Sequence, residues 1–533
     1  MTEKKINKIY LPLLFALILA AGIFLGSKLG KNPRYNYSFL NYKEDNISGV
    51  ISYIESKYVD TVDRKMLEES AIPAMLEKLD PHSVYIPASE MKNVTEDMQG
   101  NFEGIGVVFN LLTDTAIIID VISGGPSDKV GILPGDRIIM VNDSLIAGKK
   151  LESDQVVSML KGMRGTKVNV SIQRKGISDL IDFEITRDKI PLYSVDVAYM
   201  VNSETGYIKI NRFAQTTFDE FLDAITKLKR QNLKKLIVDL RGNTGGYINA
   251  AANIADQFLE DGKLIVYTQG KASPRSDIYA TARGVCHDIE LVILQDEWSA
   301  SASEIVAGAI QDNDRGKIIG RRSFGKGLVQ EEYPLSDGSV IRLTIARYYT
   351  PTGRSIQKPY SNDREEYFND LNNRFEHGEF ERADSIHFSD SLKFTTPGGN
   401  TVYGGGGIMP DIFVPIDTNG FTKYYALVVN KQLTYDFAFD YADKNRDELK
   451  KHETAADLNS YLESQHIFDQ FVKFAEKKGV PANTKGLDIS KKIISTQLKA
   501  YIARNVIDNE GFYPIIMEID NTFLEALNYL NKN

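Results

Sequence analysis

The feature that most constrains the fold is a short apolar strand that runs into a glycine-rich turn and then into an apolar helix. Residues 236–240 (LIVDL) are followed by the turn RGNTGG at 241–246, and a helical pattern covers residues 250–258. A continuous apolar strand of this kind is typical of a parallel sheet buried on both faces. Strands alternate with helices here and again around Leu291 and Ile305, which predicts an α/β core.

The glycine turn is compatible with two kinds of site. Strand, glycines and helix also describe a phosphate-binding loop, but the turn has neither a GKS or GKT ending nor the GxGxxG spacing. Free backbone amides at the start of a helix could instead stabilise an oxyanion.

A second strand-to-helix turn carries candidate nucleophiles. An apolar run at 291–294 and a helical pattern at 305–310 enclose three serines, Ser299, Ser301 and Ser303, which alternate with alanines. A hydroxyl at such a turn lies beside the unpaired first amides of the helix, which stabilise negative charge. Periodicity alone does not distinguish the three serines, and small alternating residues also serve close packing or capping.

A serine needs a base within hydrogen-bond reach, and Lys326 in SFGKG is the nearest plausible one, twenty-five residues after Ser301. A lysine acts as a base only when burial lowers its pKa. If residues 326–330 are extended, Lys326 and Gln330 share a face and the Gln330 amide could orient the amine. The alternative is that Gly-Lys-Gly is a solvated turn.

Composition excludes several function classes. The chain has 533 residues, enough for three or four domains, and its net charge of -9 argues against nonspecific nucleic-acid binding. Its single cysteine, Cys286, cannot form an internal disulfide, and the six histidines are scattered without a metal-binding motif. We therefore expect neither a metal nor another cofactor.

Lysines precede an apolar run at residues 9–25, which is just long enough to span a bilayer. We favour an uncleaved membrane anchor with everything after Lys28 exported, and cleavage near Ala20-Ala21-Gly22 is the alternative. The pattern is helical from about residue 42 to residue 98, and the turn DPHS at 80–83 ends the helix that precedes it. Its histidine, His82, is predicted to be a capping or turn residue.

Residues 102–187 are predicted to form a compact domain of short strands. This stretch resembles a PDZ domain in several segments that occur in order: GIGVVF at 104–109, residues 117–121, GGPS at 124–127, VGILPGDRI at 130–138, VND at 141–143 and residues 156–172. PDZ domains bind a peptide C-terminus as an added strand, with its carboxylate held by loop amides. The resemblance implies a carboxylate loop at Gly104, Ile105, Gly106 and Val107; otherwise these glycines only shape a turn.

From about residue 58 to residue 414 the chain resembles the carboxyl-terminal processing proteases, the tail-specific Ser-Lys peptidase family. The shared segments are DPHS, GIGVVF, DLRGNTGG, SASASEI, FGKGLVQ, DGSVIRLTIARYYTPTGRSIQ and GIMPDI, in that order. The resemblance implies a multidomain α/β protein. A crotonase/ClpP-like protease core would carry an inserted PDZ domain, a helical N-terminal segment and a helical C-terminal region.

The resemblance also implies roles for individual residues. Ser301 would be the nucleophile and Lys326 the general base, with Gln330 positioning the lysine. The implied oxyanion hole consists of the Ala302 amide and an amide from Gly246 or Gly245. Asp312 matches an acid considered in some members, but its distance along the helix favours a structural role, and His287 could suggest a Ser-His triad that the family does not use.

The predicted domains are a membrane anchor or signal at 1–30, a helical segment at 31–98, a PDZ domain at 99–188, a Ser-Lys protease core at 189–420 and a helical region at 421–533. The polar stretch 360–403 interrupts the resemblance and is predicted to be an insertion, either a surface excursion or a lid. The helical tail is expected to serve interaction or dimerisation.

We therefore expect an exported serine endopeptidase that recognises protein C-termini through its PDZ domain and cleaves through an acyl-enzyme. Its expected partners are protein substrates with free, unstructured C-termini, the membrane and a second copy of the chain, but no nucleic acid. Its expected location is the cell envelope, anchored in the inner membrane with the catalytic part in the periplasm or elsewhere outside the cytoplasm, or secreted if the signal is cleaved. The alternatives are an inactive PDZ scaffold and an acyl-CoA enzyme.

Overall fold

The computed structural model describes residues 11–29, 46–112, 114–361, 364–386, 389–482 and 484–532. The chain divides into two units, 1–72 and 73–533. The first contains α1 (Leu11–Leu29), α2 (Asn46–Lys57) and the beginning of α3 (Arg64–Leu76). Among the described residues, no helix combines the length and apolar character needed to cross a membrane. Residues 1–10 and 30 of the predicted anchor and residues 31–45 of the predicted helical segment lie outside the described part.

The second unit begins with the end of α3. It continues with β1 (Val84–Ile86) and α4 (Ala88–Gln99), which precede the PDZ-like segment. That segment consists of β2 (Asn101–Gly104), β3 (Val107–Leu112), β4 (Thr115–Val121), α5 (Pro126–Val130), β5 (Arg137–Val141), β6 (Ser144–Leu145), α6 (Ser153–Leu160), β7 (Lys167–Gln173), β8 (Ile181–Thr186) and β9 (Asp188–Pro191). Its sheet has the order β3-β4-β5-β7-β8, and β2 pairs with β9 where the chain enters and leaves. Alternate residues of β7, Val168, Val170 and Ile172, are buried in the domain core, as the period of a strand requires.

The largest domain follows. Its elements are β10 (Val195–Met200), β11 (Thr205–Ile210), α7 (Thr217–Lys229), β12 (Lys235–Asp239), α8 (Ile248–Asp256), β13 (Leu264–Gln269), β14 (Ser276–Tyr279), β15 (Glu290–Gln295), α9 (Ala302–Asp312), β16 (Lys317–Gly320), β17 (Leu328–Pro334), β18 (Val340–Tyr349), α10 (Arg364–Glu376), β19 (Lys393–Thr395), β20 (Thr401–Tyr403) and β21 (Ile412–Phe413). Its main sheet has the order β10-β11-β12-β15-β16-β21 and is parallel from β11 to β21.

Helices cover both faces of the main sheet. The core on one face joins Leu236 and Val238 of β12 to α7, α8 and α9. On the other face, Ile237 of the same strand belongs to a second core with residues of the C-terminal helix. Because both faces are covered, the strand reads as a continuous apolar run, and the predicted α/β core is confirmed.

A second sheet brings the DPHS turn to the domain. Its central strand, β18, pairs with β17 along one edge and with β1 and β13 along the other. β1 begins directly after the turn, so the turn lies beside the middle of β18. Ser83 Oγ accepts a hydrogen bond from the Thr344 amide at 3.1 Å.

The C-terminal region is helical, as predicted. It contains α11 (Lys423–Asn430), α12 (Leu433–Lys444), α13 (Arg446–Leu449), α14 (Ala455–Ser464), α15 (Ile467–Lys477), α16 (Thr484–Ile516) and α17 (Asn521–Lys532), and α16 is broken at Ile507 and Asp508. Helices α11 to α16 share their own core, but Phe523 and Leu530 of α17 pack on the main sheet. The last helix therefore belongs structurally to the α/β core rather than to the region that precedes it.

The predicted insertion is only partly a surface excursion. Its hairpin of β19 and β20 is short, whereas α10 buries Tyr367 and Arg374, which are each only 3% exposed. Both side chains contact the segment that carries Lys326, as described below.

Candidate active site

The structure distinguishes the three serines by the use of their hydroxyl groups. Ser299 Oγ donates to the Leu240 carbonyl at 2.9 Å and Ser303 Oγ donates to the Asn243 carbonyl at 2.8 Å. These two hydrogen bonds join the serine turn to the glycine turn and to the residue directly before it. Within the described part of the chain, the Ser301 hydroxyl donates no hydrogen bond to another residue, so it remains available for chemistry.

Ser301 has the backbone conformation of a strained strand-to-helix turn. It caps α9 with φ 55° and ψ -112°, a region that non-glycine residues rarely occupy. A nucleophile held on such a turn projects above the sheet edge, next to the first amides of the helix. The strain is maintained by a capping box, in which the Ser301 amide donates to Glu304 Oε2 at 2.8 Å.

The glycine turn lies directly against Ser301. A Cβ atom added to Gly245 would lie 2.7 Å from Ser301 Cβ and 3.0 Å from the Ala302 nitrogen. At Gly246 it would lie 2.1 Å from the Phe213 carbonyl oxygen. Both positions therefore require glycine.

The amides of the two glycines are used differently. The Gly245 amide donates to Asn243 Oδ1 at 2.9 Å. Among the described residues, the amides of Gly246 and Ala302 have no hydrogen-bond acceptor. The pair that could receive an oxyanion is therefore Gly246 with Ala302, whereas the sequence left open whether Gly246 or Gly245 donates.

Replacement of Gly245 by alanine is expected to slow labelling of Ser301 by a fluorophosphonate probe about a hundredfold, because the new methyl group displaces the candidate nucleophile. The matched control is Gly262→Ala, which also places alanine at a positive φ (79°) but meets no atom within 4 Å. Equal labelling rates for the two variants would show that the contact with Ser301 is unimportant.

A buried ion network holds the strand that leads into the glycine turn. Arg241 donates through Nη2 to Asp239 at 2.6 Å and through Nη1 to both oxygens of Asp520 at 2.8 Å. The Tyr207 hydroxyl donates to Asp239 at 2.7 Å. Burial raises the pKa of Asp239, but the charges of Arg241 and Lys209 outweigh it and hold that pKa well below its usual range.

Glu304 links the serine turn to the lysine segment, residues 321–327. Its side chain is fully buried and accepts four hydrogen bonds at 2.6–2.9 Å. The donors are the amides of Ser301, Gly325 and Lys326 and the hydroxyl of Ser323. Burial raises the pKa of Glu304, while these donors favour its ionised form. One carboxylate therefore fixes the distance between the backbones of the candidate nucleophile and the candidate base.

Tyr348 of β18 makes a second link between the same two segments. Its hydroxyl lies 3.0 Å from the carbonyl oxygen of Ser301 and 2.8 Å from that of Lys326. The tyrosine is itself buried, so the link does not compete with water.

The environment of Lys326 suits a base. Burial lowers its pKa, and the positive charge of Arg342 lowers it further, against the opposing effects of Glu304 and Asp80. Among the described residues, its ammonium nitrogen makes no hydrogen bond or ion pair. A lysine acts as a base only when it is buried, and the sequence alone could not show whether Lys326 is.

Gln330 does not orient Lys326 in this structure. Its Nε2 donates to the His82 carbonyl at 2.5 Å. The predicted alternation fails because β17 begins only at Leu328 and a bulge lies between Val329 and Gln330. Lys326 lies in the turn before the strand, so the even spacing of the two residues does not place them on one face.

His82 forms part of the wall of this site, which its sequence context did not indicate. Its Nε2 lies 2.9 Å from the Tyr367 hydroxyl of α10. The turn itself is closed by Asp80, which accepts from the amides of His82 and Ser83 at 2.9 Å. Burial and the nearby charge of Lys326 lower the pKa of His82 to about 3.

This pKa predicts a loss of stability in mild acid. The unfolded chain takes up a proton on His82 near its ordinary pKa of about 6.5, whereas the folded protein resists protonation down to about 3. Protonation of His82 therefore leaves the free energy of unfolding unchanged above about pH 6.5 and lowers it as the pH falls from 6.5 towards 3. Between pH 7 and pH 5, proton uptake by His82 in the unfolded chain should lower the free energy of unfolding by about 2 kcal/mol.

Thermal unfolding at several pH values checks this expectation. His82→Gln should flatten the decline in melting temperature between pH 7 and pH 5, whereas His377→Gln, at an exposed position, should not. An unchanged pH profile in His82→Gln would contradict the assignment.

The other candidate residues have structural environments. Asp312 forms a fully buried ion pair with Arg354 at 2.7 Å and accepts from Thr352, which gives it a structural partner. The Cys286 thiol is buried, which raises its pKa to about 11. Within the described residues, no group of three or more His, Cys, Asp or Glu side chains is placed to hold a metal ion.

The predicted peptide-carboxylate loop lies at an open edge. Gly106 has φ 75°, and Ser127 donates through its amide (3.0 Å) and hydroxyl (2.7 Å) to the Ile105 carbonyl. Among the described residues, the amides of Ile105 and Gly106 have no acceptor, and β3, which starts at Val107, pairs only with β4. Gly104 ends β2, where it pairs with Asp188. The loop and the edge of β3 could receive an added strand with a terminal carboxylate.

The chain is similar to known proteins over several of these segments. Residues 204–364 match the family described as peptidase family S41, residues 104–185 match the PDZ domain and residues 424–508 match a family of unknown function. The carboxy-terminal-processing protease of Bartonella bacilliformis is 34% identical over 349 residues, which cover 64% of this chain and 80% of that one. The carboxy-terminal processing protease CtpB of Bacillus subtilis is 34% identical over 319 residues, 59% of this chain and 65% of that one.

Among solved structures, the photosystem II D1 C-terminal processing protease is 25% identical, with a TM-score of 0.36 over 68% of this chain and 85% of that one. The matched S41 and PDZ segments together cover the serine turn, the glycine turn, the lysine segment and the carboxylate loop. The chain therefore belongs to the carboxy-terminal-processing serine proteases of peptidase family S41 and carries a PDZ domain.

Proposed function

We propose that this protein is an exported endopeptidase that cleaves with Ser301 as nucleophile and Lys326 as general base. The observation that supports this pair most directly is that two side chains each bind the backbones of both residues. Glu304 and Tyr348 each contact the backbones of both residues, while the Ser301 hydroxyl and the Lys326 amine are both left for chemistry.

In the proposed reaction, neutral Lys326 accepts the proton of Ser301 Oγ as the oxygen attacks the scissile carbonyl carbon. The amides of Ala302 and Gly246 donate to the oxyanion that forms. Collapse of the tetrahedral intermediate breaks the C–N bond, and the leaving amine takes the proton from the Lys326 ammonium. Water then gives a proton to Lys326 as its oxygen attacks the ester carbon. Collapse of the second tetrahedral intermediate breaks the ester bond, the Lys326 ammonium returns its proton to Ser301 Oγ, and the product acid leaves as a carboxylate after losing a proton to solvent.

Substrate selection follows from the carboxylate loop. We propose that a free C-terminus lies antiparallel to β3 with its carboxylate at the amides of Ile105 and Gly106. Such binding requires an extended and therefore unstructured tail. Gln330 is proposed to contact Lys326 only when substrate binding draws it away from the His82 carbonyl, since its amide is engaged there in this structure.

The test is turnover of a small folded protein with an unstructured tail that ends in an apolar residue. Mass spectrometry should find a shortened C-terminus with the parent chain and none with Ser301→Ala. Amidation of the tail carboxylate should lower kcat/KM about tenfold, since one charge-assisted interaction is lost. A parent chain that binds the tail but never cuts it would identify a PDZ scaffold instead.

For location, we propose attachment to the cell envelope through the N-terminal segment. The supporting observation is that apolar side chains of α1, among them Phe15, Ile18 and Leu25, are exposed. We also propose that the helical region supports self-association, as expected from the sequence. Fractionation of cells and light scattering of the purified chain test these two points, and recovery of a soluble cytoplasmic monomer would contradict both.

A further inference from the structure

The inserted helix α10 contributes a buried arginine to the segment that carries Lys326. Arg374 is 3% exposed, and its Nη2 donates to the Arg322 carbonyl at 2.7 Å while its Nη1 donates to the Ser323 carbonyl at 3.1 Å. These are the carbonyls of the fourth and third residues before Lys326. A planar guanidinium presents its donors in a fixed fork, so it determines the orientation of both peptide groups.

The contacts of Arg374 complement those of Glu304. The Glu304 carboxylate accepts from the amides of Gly325 and Lys326 and from the Ser323 hydroxyl. Residues 322–326 are therefore held between a buried anion on their N–H groups and a buried cation on their carbonyl groups. The anion comes from the core helix α9, whereas the cation comes from residues 360–403, which the sequence predicted to lie outside the core.

Arg374 is itself held in place. Its Nε donates to Glu379 Oε2 at 3.0 Å, and the same oxygen accepts from Arg322 Nη2 at 2.6 Å. Burial lowers the pKa of Arg374 to about 10, which still leaves it charged at neutral pH. A charged group so deeply buried would be costly without these partners.

Further contacts join α10 to the lysine segment. The Tyr367 ring meets the Phe324 ring edge to face at 5.9 Å between centroids. The Lys358 ammonium lies 4.1 Å from the centre of the Phe324 ring and donates to the Tyr367 carbonyl at 3.0 Å. The helix therefore covers the residues on the N-terminal side of Lys326 with both polar and aromatic groups.

We propose that Arg374 is a positioning residue for Lys326, through which the inserted helix holds the general base in its water-poor location. This inference rests on the proposed Ser-Lys mechanism. Loss of the guanidinium would remove its hydrogen bonds to the carbonyls of Arg322 and Ser323, loosen the turn and admit water to the amine. A more hydrated amine has a higher pKa and is neutral only at higher pH.

The pH dependence of kcat/KM in the full-length chain tests the proposal. Arg374→Lys keeps the charge but not the fork, and Arg374→Ala loses both. We expect kcat to fall about tenfold in the lysine variant and about a hundredfold in the alanine variant, with KM nearly unchanged, because misplacement by about 1 Å has such effects. The acid limb of the kcat/KM profile should move to higher pH by about one unit, because a more hydrated Lys326 amine has a higher pKa.

Arg382→Ala, at an exposed position of the same insertion, is the control and should behave as the parent chain. If Arg374→Ala does not fold, as judged by its thermal transition, Arg374→Lys alone decides. An Arg374→Lys profile that coincides with that of the parent chain overturns the inference. Inactivity of the parent chain, or activity that survives in Ser301→Ala, would instead overturn the proposed mechanism.

Discussion

Replacement of Lys326 by methionine is expected to lower kcat about ten-thousandfold, with little change in thermal stability. Methionine fills a similar volume but cannot accept a proton, so Ser301 would react only as a neutral hydroxyl. Residues that act as one catalytic unit show losses of about this size when one of them is removed. The free energy of unfolding should stay the same or rise, because burial disfavours the charged form of the Lys326 amine and methionine carries no charge.

Single-turnover kinetics with a saturating tailed substrate check this prediction, together with circular dichroism during heating. Lys234→Met, at an exposed position where the lysine pairs with Glu204, is the control. In the parent chain, kcat/KM should rise with pH until Lys326 is deprotonated, at a pH below the usual range of lysine. Full activity in Lys326→Met would remove the lysine from the mechanism even if Ser301 proved essential.

The second large effect is expected at Glu304, where glutamine should reduce both activity and stability. The carboxylate accepts four hydrogen bonds from buried donors, and glutamine replaces one of its oxygens by an NH₂ group that is itself a donor. At least one buried donor loses its partner, which should cost about 3 kcal/mol of unfolding free energy. Because Ser301 and Lys326 both lose their common attachment, kcat should also fall about a hundredfold.

Denaturant unfolding and peptide turnover measured on the same preparations separate the two parts of this prediction. Glu260→Gln, at an exposed position of the same domain, should change neither quantity. Retained turnover in a destabilised Glu304→Gln would show that the carboxylate serves the fold but not the alignment of the pair.

The sequence predicted what depends on local pattern. The apolar strand, the glycine turn and the following helix were assigned correctly, because strand length, glycine positions and helical period are properties of neighbouring residues. The PDZ domain and the protease family were confirmed by comparison. The choice of Ser301 needed the family resemblance, since only the folded chain shows that the hydroxyls of Ser299 and Ser303 are used by backbone carbonyls.

The sequence could not predict contacts between distant segments. The Gln330 amide does not lie at Lys326 in this structure, because a single bulge in β17 interrupts the alternation on which the prediction rested. The role of Glu304 as a common acceptor depends on residues up to twenty-two positions away, and that of Arg374 on residues more than fifty away. A buried arginine on a polar helix gives no periodic signal, so the contribution of α10 to the site was hidden in a stretch that resembled a surface insertion.

The ion network of Arg241 has a consequence for the synthesis of the protein. Arg241, at the start of the glycine turn, takes Asp520 as its second carboxylate partner, and the two lie 279 residues apart in the chain. At a translation rate of about 5 to 20 residues per second, the ribosome needs roughly 15 to 55 s to make the intervening chain. During that time Asp239 is the one carboxylate among the described partners of Arg241 that has already been made. The glycine-turn amides that we propose to bind the oxyanion should therefore become ordered late in synthesis, and the proposed proteolysis should not begin before most of the polypeptide has been made.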